Sequence, residues 1–79
     1  MNFYRLPEVS VKTGLAPSTI YRDISRKTFP KPVKITPRLS VWRDTEIAAW
    51  AAARAAGKSE DEIKALVVRL EAERSELAA

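Results

Sequence analysis

Residues 13–22 have the sequence TGLAPSTIYR, and this short stretch decides the predicted fold. Gly14 stands where a helix that starts near Pro7 needs a residue in the left-handed conformation to end. Pro17 then begins a second helix to about Lys27, because a proline at the first helical position loses no hydrogen bond. Two short helices joined through a glycine turn indicate a helix-turn-helix.

The second helix separates apolar from polar residues. Ile20 and Ile24 lie four positions apart on one face, which we expect to pack against Val9 and Leu15. The other side carries hydroxyl and basic residues: Ser18, Thr19, Arg22, Ser25 and Arg26. A polar and basic outer face is typical of the helix that a DNA-binding helix-turn-helix places in the major groove.

The segment that follows, residues 28–43, contains three prolines, which are incompatible with a helix interior. Apolar and polar residues alternate from Val33 onward, as expected for a strand. The pattern predicts a two-stranded hairpin over about residues 33–42, with Pro37 and Arg38 at its tip.

Two further helices are predicted after the hairpin. Asp44 is the expected N-cap of a third helix to about Ala56. Ser59 and Glu62 have the spacing of a capping box at the start of a fourth helix. The expected buried side of the third helix consists of Ile47, Trp50, Ala51 and Ala55. That of the fourth consists of Ile63, Leu66, Val67, Leu70 and Leu77.

Both tryptophans, Trp42 and Trp50, are interpreted as core residues because apolar residues flank them. The alternative is that they stack on unpaired bases of a single-stranded nucleic acid.

The predicted fold class is mainly α with a small β-hairpin, that is, a winged helix-turn-helix plus an extra C-terminal helix. Residues 3–6 add a candidate short strand. We expect residues 1–57 to form the DNA-binding domain. Residues 58–79 are expected to form an amphipathic helix that packs on this domain or mediates self-association.

Charge is distributed unevenly along the chain. Residues 1–43 hold nine basic residues against Glu8 and Asp23, a balance of +7, whereas residues 44–79 balance at −3, which gives the net charge of +4. The first part matches a polyanion such as nucleic acid. Acids of the second part lie three or four positions from lysine or arginine, a pattern typical of a solvated helix surface.

The composition excludes several kinds of catalytic and metal site. The chain has 79 residues and contains no cysteine and no histidine. Disulfides, thiolate metal ligands, histidine acid–base catalysis and cysteine or serine–histidine nucleophiles are therefore excluded. We expect no enzyme, no catalytic residue, no cofactor, no metal and no small-molecule ligand.

Hydropathy gives no indication of a membrane segment. The longest apolar run, from Ile47 to Ala53, is far shorter than the roughly 20 residues that cross a bilayer. We expect no membrane partner and a cytoplasmic location, either with the bacterial nucleoid or as a phage-encoded protein.

Several short motifs occur in a specific order: Glu8-Val9, Thr13-Gly14-Leu15, Ser18-Thr19-Ile20-Tyr21-Arg22, Phe29-Pro30-Lys31-Pro32-Val33-Lys34, Arg38, Trp42-Arg43 and Glu46-Ile47 with Trp50. Over about residues 4–52 their order and gaps resemble the AlpA-type prophage regulators, which are close to small phage excisionases and share a MerR-like winged helix. The resemblance implies a bacterial or phage DNA-binding protein. Many relatives have serine where this chain has Ala16 and glycine where it has Thr36.

The resemblance implies that the helix around Ser18 to Arg26 enters the major groove and that the hairpin around Lys34 to Arg38 is the wing. The candidate DNA-binding residues are Ser18, Thr19, Tyr21, Arg22, Arg26, Lys27, Lys31, Lys34 and Arg38. Arg22 is well suited to guanine O6 and N7, because arginine donates two hydrogen bonds in a fixed geometry.

Other interpretations of these residues remain open. Ser18 and Thr19 are expected to contact DNA, or else merely satisfy free N–H groups of the helix. Tyr21 is expected to be half-buried with its hydroxyl on a phosphate. The basic residues from Lys31 to Arg38 are expected to line one side of the hairpin as a wing, or else to form a solvated strand edge.

Three functions follow from these observations. The leading hypothesis is a sequence-specific duplex DNA-binding protein that regulates transcription in a phage, a prophage or another mobile element. The alternative is an excisionase that bends attachment-site DNA for an integrase. A third hypothesis, of a different functional class, is a protein-interaction module, such as an antirepressor, that acts through the fourth helix. Double-stranded DNA is the expected partner, together with an integrase or a second copy on adjacent DNA sites under the alternative.

Overall fold

The computed structural model describes the backbone of residues 2–77 and the side chains of residues 2–75. Its elements are β1 (Phe3–Tyr4), α1 (Leu6–Thr13), α2 (Pro17–Ser25), β2 (Val33–Thr36), β3 (Leu39–Arg43), α3 (Asp44–Ala55) and α4 (Glu60–Leu77). This order confirms the predicted fold class of a mainly α chain with a small hairpin and an extra C-terminal helix. The predicted packing of Leu77, and residues 78–79 of the predicted C-terminal segment, lie outside the described residues.

The turn between α1 and α2 forms as the sequence predicts. Gly14 has φ 74° at the C-terminus of α1, and its N–H donates to the carbonyl of Ser10 at 2.9 Å. The Ser10 hydroxyl donates to the carbonyl of Leu15 at 2.6 Å, and the Thr13 hydroxyl accepts from the Leu15 N–H at 3.3 Å. These side-chain bonds stabilise the turn and thereby fix the orientation of α2 relative to α1.

The second helix ends earlier than the sequence predicts. α2 stops at Ser25 and Lys27 adopts the left-handed conformation with φ 65°, so Lys27 is not helical. The N–H groups of Lys27 and Thr28 donate to the carbonyls of Ile24 and Asp23 at 3.1 and 2.9 Å. This pair of bonds is the Schellman arrangement that ends helices, and here a lysine takes the position that usually belongs to glycine.

The sheet has one strand more than the predicted hairpin. β2 and β3 pair antiparallel with Val33 opposite Val41, and the register shifts between Lys34 and Thr36. β1 adds to the other edge of β3, which gives the order β1-β3-β2. The candidate short strand over residues 3–6 is confirmed at Phe3–Tyr4. Its place in the sheet was not predicted, because pairing of β1 with β3 joins residues that are about forty positions apart and has no local signal.

One apolar core joins all four helices to the sheet. Its buried members are Val9, Ile20, Phe29, Trp42, Ile47, Trp50, Ile63 and Val67, with Leu15 and Ile24 packed against them. The Phe29 ring meets Trp50 and Trp42 edge to face at centroid distances of 4.8 and 6.4 Å. The prediction that both tryptophans are core residues is confirmed, since 0% of Trp42 and 6% of Trp50 are exposed.

The start and the buried side of α3 differ from the prediction. Asp44 is the first helical residue, and Arg43 takes the N-cap position without a capping side-chain bond. The Asp44 carboxylate accepts from the adjacent N–H of Thr45 at 2.7 Å. Ala55 is exposed, whereas Glu46 lies on the buried side together with Ile47 and Trp50.

The capping box at the start of α4 is confirmed. The Ser59 N–H donates to Glu62 at 3.0 Å, and the Glu62 N–H donates to the Ser59 hydroxyl at 3.2 Å. Hydrogen bonds from the backbone and then the side chain of Ser59 hold the pKa of the Glu62 carboxyl below its ordinary value. Along the helix, Ile63, Val67 and Leu70 are buried and Leu66 is half-buried.

Candidate nucleic-acid interface

The outer face of α2, continued by its C-cap residue, presents three of the nine candidate residues. Ile20 faces the core and is fully buried. Arg22 lies on the opposite side of the helix, and Ser18 and Arg26 are four residues before and after it on the same face. All three are exposed, so α2 and its C-cap residue Arg26 together offer a row of one hydroxyl and two guanidinium groups.

The remaining two candidates on α2 flank this row. Thr19 is half-buried, whereas Tyr21 is 53% exposed and so less packed than the half-buried position that we expected. Ala16 is the N-cap residue and forms no side-chain bond. The first amide N–H groups of α2, those of Ser18 and Thr19, therefore lack the capping acceptor that a serine at this position provides.

Lys27 is held in the left-handed backbone conformation, which residues other than glycine rarely adopt. The same Schellman bonds end α3, where the left-handed residue is Gly57 with φ 74°. A residue with a Cβ pays roughly 1–2 kcal/mol for this conformation. The same motif thus ends both helices, with an exposed lysine at the end of α2 where α3 has glycine.

The connection between α2 and β2 has no regular structure from Thr28 to Pro32, yet its backbone is tightly bound. The indole N–H of Trp50 donates to the Thr28 carbonyl, and that of Trp42 donates to the Pro30 carbonyl, both at 2.8 Å. The two core tryptophans therefore set the path of the chain from α2 to the hairpin.

Lys31 lies in this connection and not on the hairpin, which corrects the prediction that it lines one side of the hairpin. Its side chain is exposed, while its peptide groups bind α4. The Lys31 N–H donates to Glu71 at 3.0 Å, and its carbonyl accepts from Arg74 at 2.7 Å.

The hairpin places the last two candidates near each other. Lys34 is an exposed residue of β2, and its ammonium group donates to the Pro37 carbonyl at 3.4 Å. Arg38 follows in the turn, where its N–H donates to the Thr36 hydroxyl at 3.2 Å. The predicted tip at Pro37 and Arg38 is confirmed, and both cations are open to solvent.

We call the six basic candidates the cationic surface: Arg22, Arg26, Lys27, Lys31, Lys34 and Arg38. Within residues 2–75, Arg22 alone among them forms an ion pair, at 3.5 Å from Asp23. Basic residues of the C-terminal part mostly pair with carboxylates, as Arg54 does with Glu60 at 2.7 Å and Arg69 with Glu73 at 3.5 Å. Carboxylates of the described residues therefore leave most of the charge of the cationic surface without an ion-pair partner.

A buried ion cluster, which the sequence analysis missed, joins β3, α3 and α4. Glu46 is 0% exposed and accepts from Arg43 at 2.8 Å and from Arg74 at 2.8 and 2.6 Å. The hydrogen bonds from Arg74 to Glu46, together with the charges of Glu46 and Glu71, raise the pKa of Arg74 above its ordinary value. The interpretation of all the acids as solvated surface is wrong for Glu46, and Arg43, which is 7% exposed, does not belong to the basic surface.

The signal for this cluster was weak in the sequence. Glu46 three residues after Arg43 looks like an ordinary exposed helix pair, since such spacing is common on helix surfaces. Arg74 lies 28 positions beyond Glu46. An arginine and a glutamate this far apart meet only after α4 has packed against the domain.

Comparison with known proteins identifies the family. Residues 2–55 match the family model described as "Prophage CP4-57 regulatory protein (AlpA)". The chain belongs to the AlpA family of prophage regulatory proteins. This confirms the resemblance that the motifs indicated, and the match extends from β1 to the end of α3.

A relative of this AlpA-family chain occurs in a phage. The uncharacterized protein ORF88 of Enterobacteria phage P4 is 41% identical over 56 residues, which cover 71% of this chain and 64% of the phage protein. The chain thus spans less than two thirds of that relative. No solved structure matches the chain. In the described part of the chain, no helix combines the length and apolar character that a membrane span requires.

Proposed function

We propose that this AlpA-family protein binds duplex DNA sequence-specifically and regulates transcription of a phage, prophage or other mobile element. The observation that carries the proposal is the cationic surface, whose charges are exposed and mostly unpaired on three consecutive segments of the chain. Phosphates of duplex DNA are the partner with matching charge, and the row on α2 has the side chains that contact base edges.

In this proposal α2 enters the major groove. Arg22 lies opposite the buried face of the helix, so it reaches farthest from the core towards a base pair. Ser18 and Thr19 occupy the first turn, where their hydroxyls and the amide N–H groups of the helix start bind a backbone phosphate. Tyr21 lies beside this row with its hydroxyl on a neighbouring phosphate.

The hairpin acts as the wing. Lys34 and Arg38 contact DNA that flanks the site of α2, and Arg38 at the tip is placed to enter a minor groove. Lys27 and Lys31 lie between helix and wing, where they neutralise phosphates along the path that joins the two contacts.

Salt dependence of duplex binding tests the proposed function. We expect the logarithm of the affinity to fall with the logarithm of salt concentration at a slope of about −4 to −5, as for four to six neutralised phosphates. The measurement is fluorescence anisotropy with a labelled duplex selected from random-sequence DNA by repeated binding to the protein. If no duplex binds at low salt, the proposal is wrong and the protein-interaction hypothesis is favoured.

Arg22→Ala is expected to weaken binding to the selected duplex more than to random DNA. A bidentate contact to guanine contributes about 1–3 kcal/mol of discrimination, whereas a phosphate contact contributes equally on any sequence. Arg69→Ala is the matched control, because Arg69 is also exposed and also forms a 3.5 Å ion pair. Equal losses on both DNAs would show that Arg22 contacts only phosphate.

Lys27→Gly is expected to change stability and DNA binding in opposite directions. Glycine relieves about 1–2 kcal/mol of left-handed strain and loses about 0.5–1 kcal/mol through greater freedom of the unfolded chain, so the free energy of unfolding rises by up to about 1.5 kcal/mol. The salt slope becomes shallower by about 0.9, because one phosphate contact disappears. Denaturant unfolding and anisotropy measure the two effects.

The control for Lys27→Gly is Lys64→Ala, which removes an exposed lysine of α4 outside the cationic surface. This variant keeps the salt slope of the parent. A Lys27→Gly protein with an unchanged slope contradicts a phosphate contact at Lys27.

A further inference from the structure

We propose that Glu71 and Arg74 of α4 are positioning residues for DNA binding, because they bind the backbone N–H and carbonyl of Lys31 and thereby fix the hairpin relative to α2. The inference rests on the proposed function and deepens it. It concerns a helix that lies outside the matched family segment, residues 2–55.

The two contacts hold the two peptide groups on either side of the Lys31 Cα. Glu71 accepts the Lys31 N–H at 3.0 Å, and Arg74 donates to the Lys31 carbonyl at 2.7 Å. Lys31 stands between Pro30 and Pro32, neither of which has an N–H, so its amide is the only backbone donor of these three residues. Fixing this amide therefore fixes the chain where it turns from α2 towards β2.

Arg74 is itself anchored in the protein. The guanidinium nitrogen that donates to Lys31 also donates to Glu46 at 2.6 Å, and a second nitrogen donates to Glu46 at 2.8 Å. Since Glu46 is fully buried, its carboxylate holds the Arg74 guanidinium group in a fixed position. Leu70 and Val67 bury the same helix against the domain.

The connection is consequently bound by side chains from three elements. Trp50 of α3 and Trp42 of β3 hold the carbonyls of Thr28 and Pro30, and α4 holds Lys31. A hairpin fixed in this way meets DNA without first losing conformational freedom, which favours binding. Removal of the Glu71 contact leaves the tryptophan contacts and the Arg74–Glu46 bonds in place, so the fold persists while the hairpin gains freedom.

Glu71→Ala tests this role in the full chain, with Glu73→Ala as the matched control. Both variants remove one carboxylate from α4, but Glu73 pairs with exposed Arg69 and does not contact Lys31. In Glu71→Ala without DNA, we expect the Lys31 amide to exchange its proton about tenfold faster than in the control, measured by NMR. Glu71→Gln keeps an oxygen that accepts from Lys31, so it exchanges at nearly the rate of the parent.

Duplex affinity supplies the readout that separates positioning from stability. On a selected duplex that extends past the site of α2, Glu71→Ala binds roughly three- to tenfold more weakly than Glu73→Ala, and Glu71→Gln restores the affinity. On a duplex trimmed to the site of α2, the variants bind alike, because the hairpin has no DNA to contact. Thermal melts by circular dichroism set a temperature at which every variant is folded.

The outcomes distinguish failure of this inference from failure of the proposed function. Equal Lys31 exchange in Glu71→Ala and Glu73→Ala, or equal affinity on the long duplex, overturns the positioning role. A loss that is equally large on the trimmed duplex also overturns it, since a general destabilisation acts on both DNAs. A parent protein that binds no duplex overturns the proposed function itself.

Discussion

Trp42→Ala is expected to lower the free energy of unfolding by about 3–5 kcal/mol, as truncation of a buried aromatic residue does. Trp42 is 0% exposed, contacts the Phe29 ring and donates to the Pro30 carbonyl at 2.8 Å. A chain of this length has a stability of roughly 4–12 kcal/mol, so the substitution removes a large part of it or all of it. The midpoint of denaturant unfolding, followed by circular dichroism, measures the loss.

The control Trp42→Phe separates the ring from its N–H group. Phenylalanine fills much of the site but leaves the Pro30 carbonyl without its donor, so a smaller loss of about 1–3 kcal/mol is expected. A Trp42→Ala protein that unfolds at the parent's midpoint and yet loses nucleic-acid binding would instead identify Trp42 as a residue that stacks on bases.

Glu46→Ala is the second substitution with a large expected effect, a destabilisation of about 3–5 kcal/mol. It leaves Arg43 and Arg74 without their shared carboxylate, and Arg43 is 7% exposed and so cannot turn freely to water. An unpaired charge that stays away from solvent costs more than the ion pair contributes. Denaturant unfolding again gives the magnitude.

Glu60→Ala is the matched control, because it breaks an ion pair of similar length that is not buried. Glu60 bonds Arg54 at 2.7 Å, about the distance of the Glu46 contacts, but the pair is exposed. This hydrogen bond and the charge of Arg54 lower the pKa of the Glu60 carboxyl, and solvent screens the attraction. We expect Glu60→Ala to unfold at nearly the parent's midpoint. Equal effects of the two substitutions would contradict the argument that burial makes the Glu46 cluster important.

Much of the candidate site could be predicted because its signals are local. Gly14 and Pro17 mark the turn between the first two helices, since their backbone preferences act within one or two residues. The exposed row on α2 follows from the spacing of Ile20 and Ile24, because a helix has 3.6 residues per turn whatever surrounds it. The tip of the hairpin follows likewise from Pro37 and from the alternation of apolar and polar residues on either side.

Only the tertiary structure decided how these parts are held together. The sequence does not signal that α2 ends with Lys27 in the left-handed conformation. Lysine is an ordinary helix former, and glycine is the residue that usually marks this position. Glu46 looks like a surface residue until α4 covers it, and Glu71 and Arg74 reach Lys31 across 40 and 43 positions of the chain. The short sequence patterns determined the helices, the turn and the basic face, whereas packing between distant segments determined which charges are buried and what fixes the path to the hairpin.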